Sequence, residues 1–319
     1  MRAFTVTPQA DVLPSADAEE AIAVLDRILV AHGGDPRTQM RGEEFFGRDH
    51  GDLWSALCRD GWPSVAVSGL ADPGAAQEGL GLVDLLALAE TWGRHLVPLP
   101  LVETILVRRW SGAGPADDEA LTFAVGHRTG PLAPYGNLPG VSCVDRLPSG
   151  VDRAGAGGSG QSPLGSPSYP LATAPHATVL GGEVRREIVA LAVARAAGGA
   201  GLCLERSLAY AKTRAQFGRL IGSQQAVKHH LANMNMDAEL ARSSALAVAL
   251  AGPDEIWPRA KLGFDYCANV WETAIQVHGG IGFTWEAGLH FYSWQLQGLR
   301  AVAQAAAGGE GEGEGGTPR

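Results

Sequence analysis

The chain has 319 residues, a formal net charge of −9 at pH 7 and a hydrophobic fraction of 45%, enough for two or three packed units. The acidic balance argues against a general nucleic-acid-binding protein, because such proteins need a basic surface for phosphate groups. The four cysteines are far apart and include no C-x-x-C pair, so neither a zinc knuckle nor a redox dithiol is indicated.

The chain has no run of 18 apolar residues, and its first residues lack an apolar signal core. We therefore expect a cytoplasmic protein without a membrane-spanning helix. No metal site is expected either, because the adjacent pair His229 and His230 has no convincing further ligands at helical spacing.

Residues 1–112 are predicted to form a helical N-terminal domain. Ser15 is a suitable N-cap for a first helix that ends near Gly33, and the apolar residues between them recur at helical spacing. A second helix is predicted to end at Gly61, and a third to span 82–96, before two prolines.

Residues 113–182 are predicted to form a shortened middle β-domain, because they are rich in Gly, Pro and Ser and contain only short β-like runs. These runs lie at 120–125, 140–144 and 177–180. Residues 150–170 are predicted to be a loop.

Residues 183–307 are predicted to form a C-terminal four-helix bundle, because four helical segments follow one another with short connections. The predicted helices span 183–214, 223–250 and 258–278, and the fourth begins near Glu286. Residues 308–319 repeat Gly and Glu without apolar residues and are predicted to be disordered. The predicted fold class is therefore mainly α, with a reduced β unit between two helical domains.

The segment from Tyr210 to Lys228 combines a basic helix end, a Phe217-Gly218 turn and the start of another helix. Unsatisfied N–H groups at a helix start and the fixed donor fork of an arginine suit a pyrophosphate group. Taken alone, the segment fits better a helical hairpin whose basic side chains are solvated, because charged residues are common at turns.

A second segment, A-I-Q-V-H-G-G-I-G-F-T-W, follows at residues 274–285. Consecutive glycines allow a ligand to approach the backbone closely, and the Gln276 carboxamide can both donate and accept hydrogen bonds, as a nucleotide requires. The alternative is a glycine helix cap beside a packed Gln. The pattern is not a G-x-G-x-x-G after a strand, so a Rossmann site is not predicted.

Together the two segments closely resemble the C-terminal domain of the acyl-CoA dehydrogenases. The resemblance consists of R-x-Q-F-G followed by I-x-x-x-Q and, about fifty residues later, Q-x-x-G-G-x-G. Residues 45–105 are similar to that family's N-terminal helical domain. The resemblance implies an FAD cofactor, an acyl-CoA substrate that is desaturated between its α and β carbons, and an electron-transfer flavoprotein as acceptor.

The resemblance also implies an FAD site built across a subunit interface, so that a monomer is not expected to act alone. The first motif would contact the pyrophosphate of a neighbouring subunit's FAD, and the glycine motif would contact its adenosine. The implied positions in this chain are Arg214, Gln216, Phe217, Gln225, Gln276, Gly279 and Gly280.

Three departures from the family pattern indicate a catalytically incomplete chain. The middle segment lacks the acid-x-x-A-G-S-D-type loop and the W-x-[ST] motif that cover the flavin ring and the thioester. The late Y-E-G-T-type Glu is replaced by a Gly/Glu repeat, which cannot hold a base in place. The nearest candidate for the other family position of the base is Glu187, whose flanking arginines also fit a solvated helix start.

The short chain, the missing motifs and the sequence G-G-I-G-F-T-W-E resemble the small subunits of heteromeric actinobacterial acyl-CoA dehydrogenases. Those enzymes act on bulky substrates such as steroid-derived CoA thioesters. The resemblance implies a heterotetramer with a longer acyl-CoA dehydrogenase homologue, which carries the flavin-ring site and the base. Two alternatives stay open: a complete homomeric enzyme with Glu187 as base, and a scaffold or regulatory homologue without cofactor.

Overall fold

A computed structural model of the chain describes residues 13–37, 43–67, 79–111, 118–147, 153–154 and 160–308. The predicted disordered tail, from residue 309 onwards, and much of the predicted loop at 150–170 lie outside these described residues.

The N-terminal part of the chain is helical, as predicted. Ser15 caps the first helix, since its Oγ accepts a hydrogen bond from the backbone N–H of Ala18 at 3.2 Å. Two helices were not predicted. One is a single turn at Glu43–Phe46. The other begins at Leu101, directly after the second of two prolines, and proline is compatible with the first turn of a helix. The helices are α1 (Ala16–Gly33), α2 (Glu43–Phe46), α3 (Gly51–Arg59), α4 (Leu82–His95) and α5 (Leu101–Ser111).

The middle part consists of short strands, three of which lie within the predicted β-like runs. The strands are β1 (Ala120–Phe123), β2 (Leu132–Pro134), β3 (Val141–Val144), β4 (Arg146–Leu147), β5 (Arg153–Ala154), β6 (Gly160–Gln161), β7 (Leu171–Thr173) and β8 (Val179–Leu180). They pair in the orders β1-β3-β5, β2-β7-β6 and β4-β8, and the β1–β3 and β4–β8 pairs are parallel. Strands β2, β4, β5, β6 and β7 were not predicted, because runs of two or three residues give no periodic signal. Two of them, β5 and β6, lie within residues 150–170, so the prediction that this whole segment is a loop is wrong.

The C-terminal part contains the four predicted long helices. They are α6 (Gly182–Thr213), α7 (Gln225–Ala249), α8 (Ile256–His278) and α9 (Leu289–Ala306). The prediction that the fourth begins near Glu286 is wrong by three residues. Gly288 adopts the left-handed conformation with φ 60° and precedes the first helical turn.

Helix α6 is the central element of the fold. It is long and apolar enough to cross a membrane by length and composition, yet 94% of that apolar stretch is buried inside the protein. Helix α4 crosses it with the two backbones in direct contact. A Cβ atom on Gly93 would lie 1.9 Å from the Arg195 carbonyl oxygen, and one on Gly198 would lie 1.9 Å from that of Glu90. These two glycines therefore set the distance between the N-terminal helices and the bundle.

Candidate functional site

A two-residue hairpin follows the C-terminal end of α6. Strands β9 (Ala215–Gln216) and β10 (Arg219–Leu220) pair antiparallel. Between them Phe217 and Gly218 have φ values of 53° and 76°, as a type I′ turn requires. The left-handed region suits Gly218, but for a phenylalanine it costs on the order of 1–2 kcal/mol. Such backbone strain persists mainly at functional sites.

The side chain at the first position of this turn is almost fully exposed. Phe217 is 93% exposed, and the hairpin residues around it are exposed as well. A large apolar ring held in solvent in a strained conformation gains nothing for the isolated chain. The ring is therefore available for contact with a molecule outside the chain.

The surface around the hairpin is basic, although the whole chain is acidic. No Asp or Glu occurs between Glu205 and Asp237. Four cations lie in this interval near the hairpin, and within the part of the chain that the structure describes none of them is paired with an acid. They are Lys212, Arg214, Arg219 and Lys228. An anionic group such as a pyrophosphate would complement them.

The glycine motif begins at the C-terminal end of α8. Gly279 has a φ of 63°, and an added Cβ on Gly279 or Gly280 would meet nothing within 4 Å. Both glycines and the neighbouring Gln276 are exposed. The chain continues as a 3₁₀ turn to Phe283, which is 80% exposed. The motif thus presents open backbone and a free carboxamide, which a nucleoside could approach closely.

The two motifs lie at the same end of the bundle. Tyr210, one turn before Arg214 on α6, stacks on His278, the last residue of α8, with ring centroids 4.6 Å apart and planes 22° apart. Gln225 opens α7 after the 3₁₀ turn Ile221–Ser223 that follows the hairpin, and it is exposed, with its Nε2 atom 3.1 Å from His229 Nε2. All seven residues proposed from the sequence for the cofactor are therefore exposed on one end of the molecule. Their unpaired charge, open backbone and exposed ring fit a dinucleotide.

Glu187, the candidate base, lies near the other end of α6. Its side chain is only 6% exposed, so the alternative expectation of a solvated helix start is wrong. The indole Nε1 of Trp110 donates a hydrogen bond to Oε2 at 2.6 Å, and the guanidinium Nε of Arg109 lies 3.3 Å from the same oxygen. Glu187 therefore connects the end of α5 to the start of α6.

A buried charged cluster near Glu187 was missed from the sequence. Arg195 of α6 donates to the Tyr135 hydroxyl at 2.5 Å and lies 3.4 Å from the Glu103 carboxylate of α5, while its guanidinium covers the Tyr169 ring at 4.9 Å. All four residues are buried. Desolvation raises the pKa of Glu103, against the opposing effect of the Arg195 charge. The sequence did contain a signal for this cluster, because Glu103 and Arg195 are each a single charged residue within an apolar helical stretch.

A cavity of about 20 Å³ adjoins this cluster and is lined by Glu103, Tyr169 and Arg195 together with apolar side chains of α5, α6 and α9. This volume holds about one water molecule. The cavity is therefore too small for an acyl chain.

Comparison with known proteins places these features in a family. Residues 189–313 match the acyl-CoA dehydrogenase C-terminal domain. The chain is 30% identical over 277 residues to acyl-CoA dehydrogenase IpdE2 of Mycobacterium tuberculosis, covering 79% of this chain and 82% of that protein.

Two solved structures share the fold. The ChsE4–ChsE5 complex from Mycobacterium tuberculosis matches with a TM-score of 0.66 and 20% identity, covering 94% of this chain and 96% of that chain. A variant of the steroid ACAD Tcur3481–Tcur3483 matches with a TM-score of 0.61 and 22% identity, covering 91% and 96%. Because the similarity to IpdE2 extends over most of its length and its C-terminal domain matches the family model, this chain belongs to the acyl-CoA dehydrogenase family of oxidoreductases, whose members are flavoproteins.

Proposed function

We propose that the chain is the small subunit of an FAD-dependent acyl-CoA dehydrogenase and supplies the pyrophosphate and adenosine end of the cofactor site across a subunit interface. The observation that carries this proposal is the hairpin at Phe217, where a strained backbone presents a 93% exposed ring among cations that pair with no acid in the described parts of the chain. A scaffold that had lost the cofactor would have no use for either feature.

Each proposed residue has a distinct task in this site. The Arg214 guanidinium offers its fork of donors to the pyrophosphate oxygens, and the Phe217 ring covers the adjoining part of the cofactor. Gln216 and Gln225 add neutral hydrogen-bonding groups beside the charge. Gln276 and the open backbone of the two following glycines receive the adenosine. The bound FAD supplies the hydride acceptor for acyl-CoA desaturation.

We assign the catalytic base and the acyl pocket to a partner subunit. Glu187 is buried against Trp110 and Arg109, so its carboxylate is engaged rather than presented to a substrate carbon. The cavity beside Arg195, at about 20 Å³, leaves no room for an acyl chain. The chain alone would therefore be catalytically incomplete.

The proposed partner is a longer acyl-CoA dehydrogenase homologue, in a heterotetramer with two copies of each chain. The similar ChsE4–ChsE5 structure is a complex. Large apolar side chains are exposed on α7, on α8 and after α8, as subunit interfaces require; they are Met236, Leu240, Leu262, Ile281, Phe283 and Trp285. Similarity to a steroid ACAD supports a bulky, steroid-derived CoA thioester as substrate. The proposal also includes an electron-transfer flavoprotein as acceptor and a cytoplasmic location.

The first experiment compares the chain purified alone with the chain co-expressed with the longer homologue, by flavin absorbance and native mass. A colourless chain that yields a yellow hetero-oligomer supports the proposal. A yellow homo-oligomer that is bleached by an acyl-CoA would support the complete homomeric enzyme, and absence of flavin in every assembly would support a scaffold.

The site itself is tested with Arg214→Ala in the flavin-loaded oligomer. Loss of hydrogen bonds to a charged group weakens binding by about 10- to 100-fold, so the FAD dissociation constant should rise by that factor. Arg128→Ala is the matched control, since Arg128 is exposed in the β unit. Equal FAD affinity in both variants would contradict the proposed site.

A further inference from the structure

His278 occupies the junction between the two cofactor motifs and has a fixed tautomer. It ends α8, directly before Gly279, and its Nδ1 lies 2.8 Å from the Ala274 carbonyl oxygen. A carbonyl oxygen only accepts hydrogen bonds, so Nδ1 carries the proton. In the neutral ring, Nε2 is therefore the acceptor.

The ring is held in place, but its acceptor atom is not used within the chain. Tyr210 stacks on one face at 4.6 Å. Among the residues that the structure describes, Nε2 has no hydrogen-bond partner, and the ring is only partly buried. Burial lowers the pKa of His278 below its ordinary value of 6.5, and the charge of Arg206 acts in the same direction. The imidazole is consequently neutral at pH 7.

We infer that His278 is a further binding residue for the adenosine end of the cofactor, with its Nε2 accepting a hydrogen bond from an adenine amino group or a ribose hydroxyl. This inference rests on the proposed function, because it needs a nucleoside at the glycine turn. Backbone N–H groups of a glycine turn can only donate, whereas adenosine also carries donors that need an acceptor. A neutral imidazole directly before Gly279 supplies one.

The stack with Tyr210 gives His278 a second, positioning effect. Tyr210 lies one helical turn before Arg214, so the ring pair joins the end of α6 to the end of α8. The donors proposed for the pyrophosphate and the acceptor proposed for the adenosine are thus held at a fixed separation. A single ligand that spans both would gain from this preorganisation.

Two substitutions distinguish an acceptor from a packing role. His278→Phe keeps a ring that can stack on Tyr210 but has no acceptor, whereas His278→Gln loses the ring but offers a carbonyl oxygen near the Nε2 position. We expect the FAD dissociation constant of the flavin-loaded oligomer to rise about 3- to 10-fold in the Phe variant, as for one lost hydrogen bond. The Gln variant should recover most of this loss, and His127→Phe in the β unit is the control.

The pH profile provides a readout that packing would not change. A protonated imidazole cannot accept a hydrogen bond, so wild-type affinity for FAD should fall as the pH drops through the lowered pKa of His278, below 6.5. The groups that the described structure sets against the ring are Arg206 and Tyr210, both on α6. The His278→Phe variant should lack this step.

The outcomes separate this inference from the proposed function. A wild-type assembly without FAD, or one indifferent to Arg214→Ala, overturns the proposed cofactor site as a whole. If Arg214→Ala weakens FAD binding but His278→Phe binds as tightly as wild type, only the role of His278 is overturned. A Phe variant that outperforms the Gln variant would likewise assign the ring to packing alone.

Discussion

The two ends of helix α6 have opposite surroundings. In its N-terminal half, Glu187 near the start and Arg195 near the middle are buried and engaged by neighbours from α5 and the β unit; this half is the closed end. Beyond its last turn, the hairpin exposes Phe217 and unpaired cations to solvent. Polar groups at the closed end hold the chain's own parts together, whereas the cations of the open end are paired with no acid among the residues that the structure describes. The function proposed here therefore belongs to the open end.

The largest effect should come from the closed end, through Arg195→Met. The substitution leaves the Glu103 carboxylate buried without its ion-pair partner, and removing one partner of a buried pair destabilises by about 3–5 kcal/mol. Denaturant unfolding of the isolated chain measures this free energy. The double variant Glu103→Leu/Arg195→Met should recover much of the loss, because a well-packed apolar pair needs no charge compensation. If Arg195→Met were as stable as wild type, the buried pair of Glu103 and Arg195 would not hold the closed end together.

The open end should respond in the opposite sense, through Phe217→Asn. Asn-Gly is the preferred pair for a type I′ turn, so the free energy of unfolding of the isolated chain should rise by about 1 kcal/mol as strain is relieved. FAD affinity of the assembled oligomer should fall at the same time. If Phe217→Asn lowered the stability of the chain, Phe217 would serve the fold. If it kept full FAD affinity, Phe217 would not serve the cofactor. Either result would contradict the contrast between the two ends of α6.

The smallest effect on stability is expected for Glu187→Gln. The amide oxygen still accepts the hydrogen bond from Trp110, and only the 3.3 Å ion pair with Arg109 is lost, at a cost of about 1 kcal/mol or less. Turnover of the assembled enzyme should stay within a factor of about two. A loss of several orders of magnitude would instead identify Glu187 as the catalytic base.

The sequence predicted the open end better than the closed end, for a physical reason. The exposed residues around Phe217 form a local motif, so the resemblance to a family motif could select them without knowledge of the fold, and the structure confirms only that they are exposed. The cluster of Glu103 and Arg195 depends on the packing of α5 against α6, which no local pattern encodes. Helix α5 was missed because Pro98 and Pro100 were interpreted only as helix ends.

The Gly198 crossing also gives α6 the geometry of a lever. At 1.5 Å per residue, the fifteen residues from Gly198 to Thr213 span about 22 Å. A tilt of about 5° at the crossing would move the hairpin by about 2 Å over that length. At Gly93 and Gly198 the two backbones are in contact, so no flexible side chain can absorb such a tilt. A methyl group added at either glycine would therefore displace the hairpin residues, although these residues do not contact the crossing.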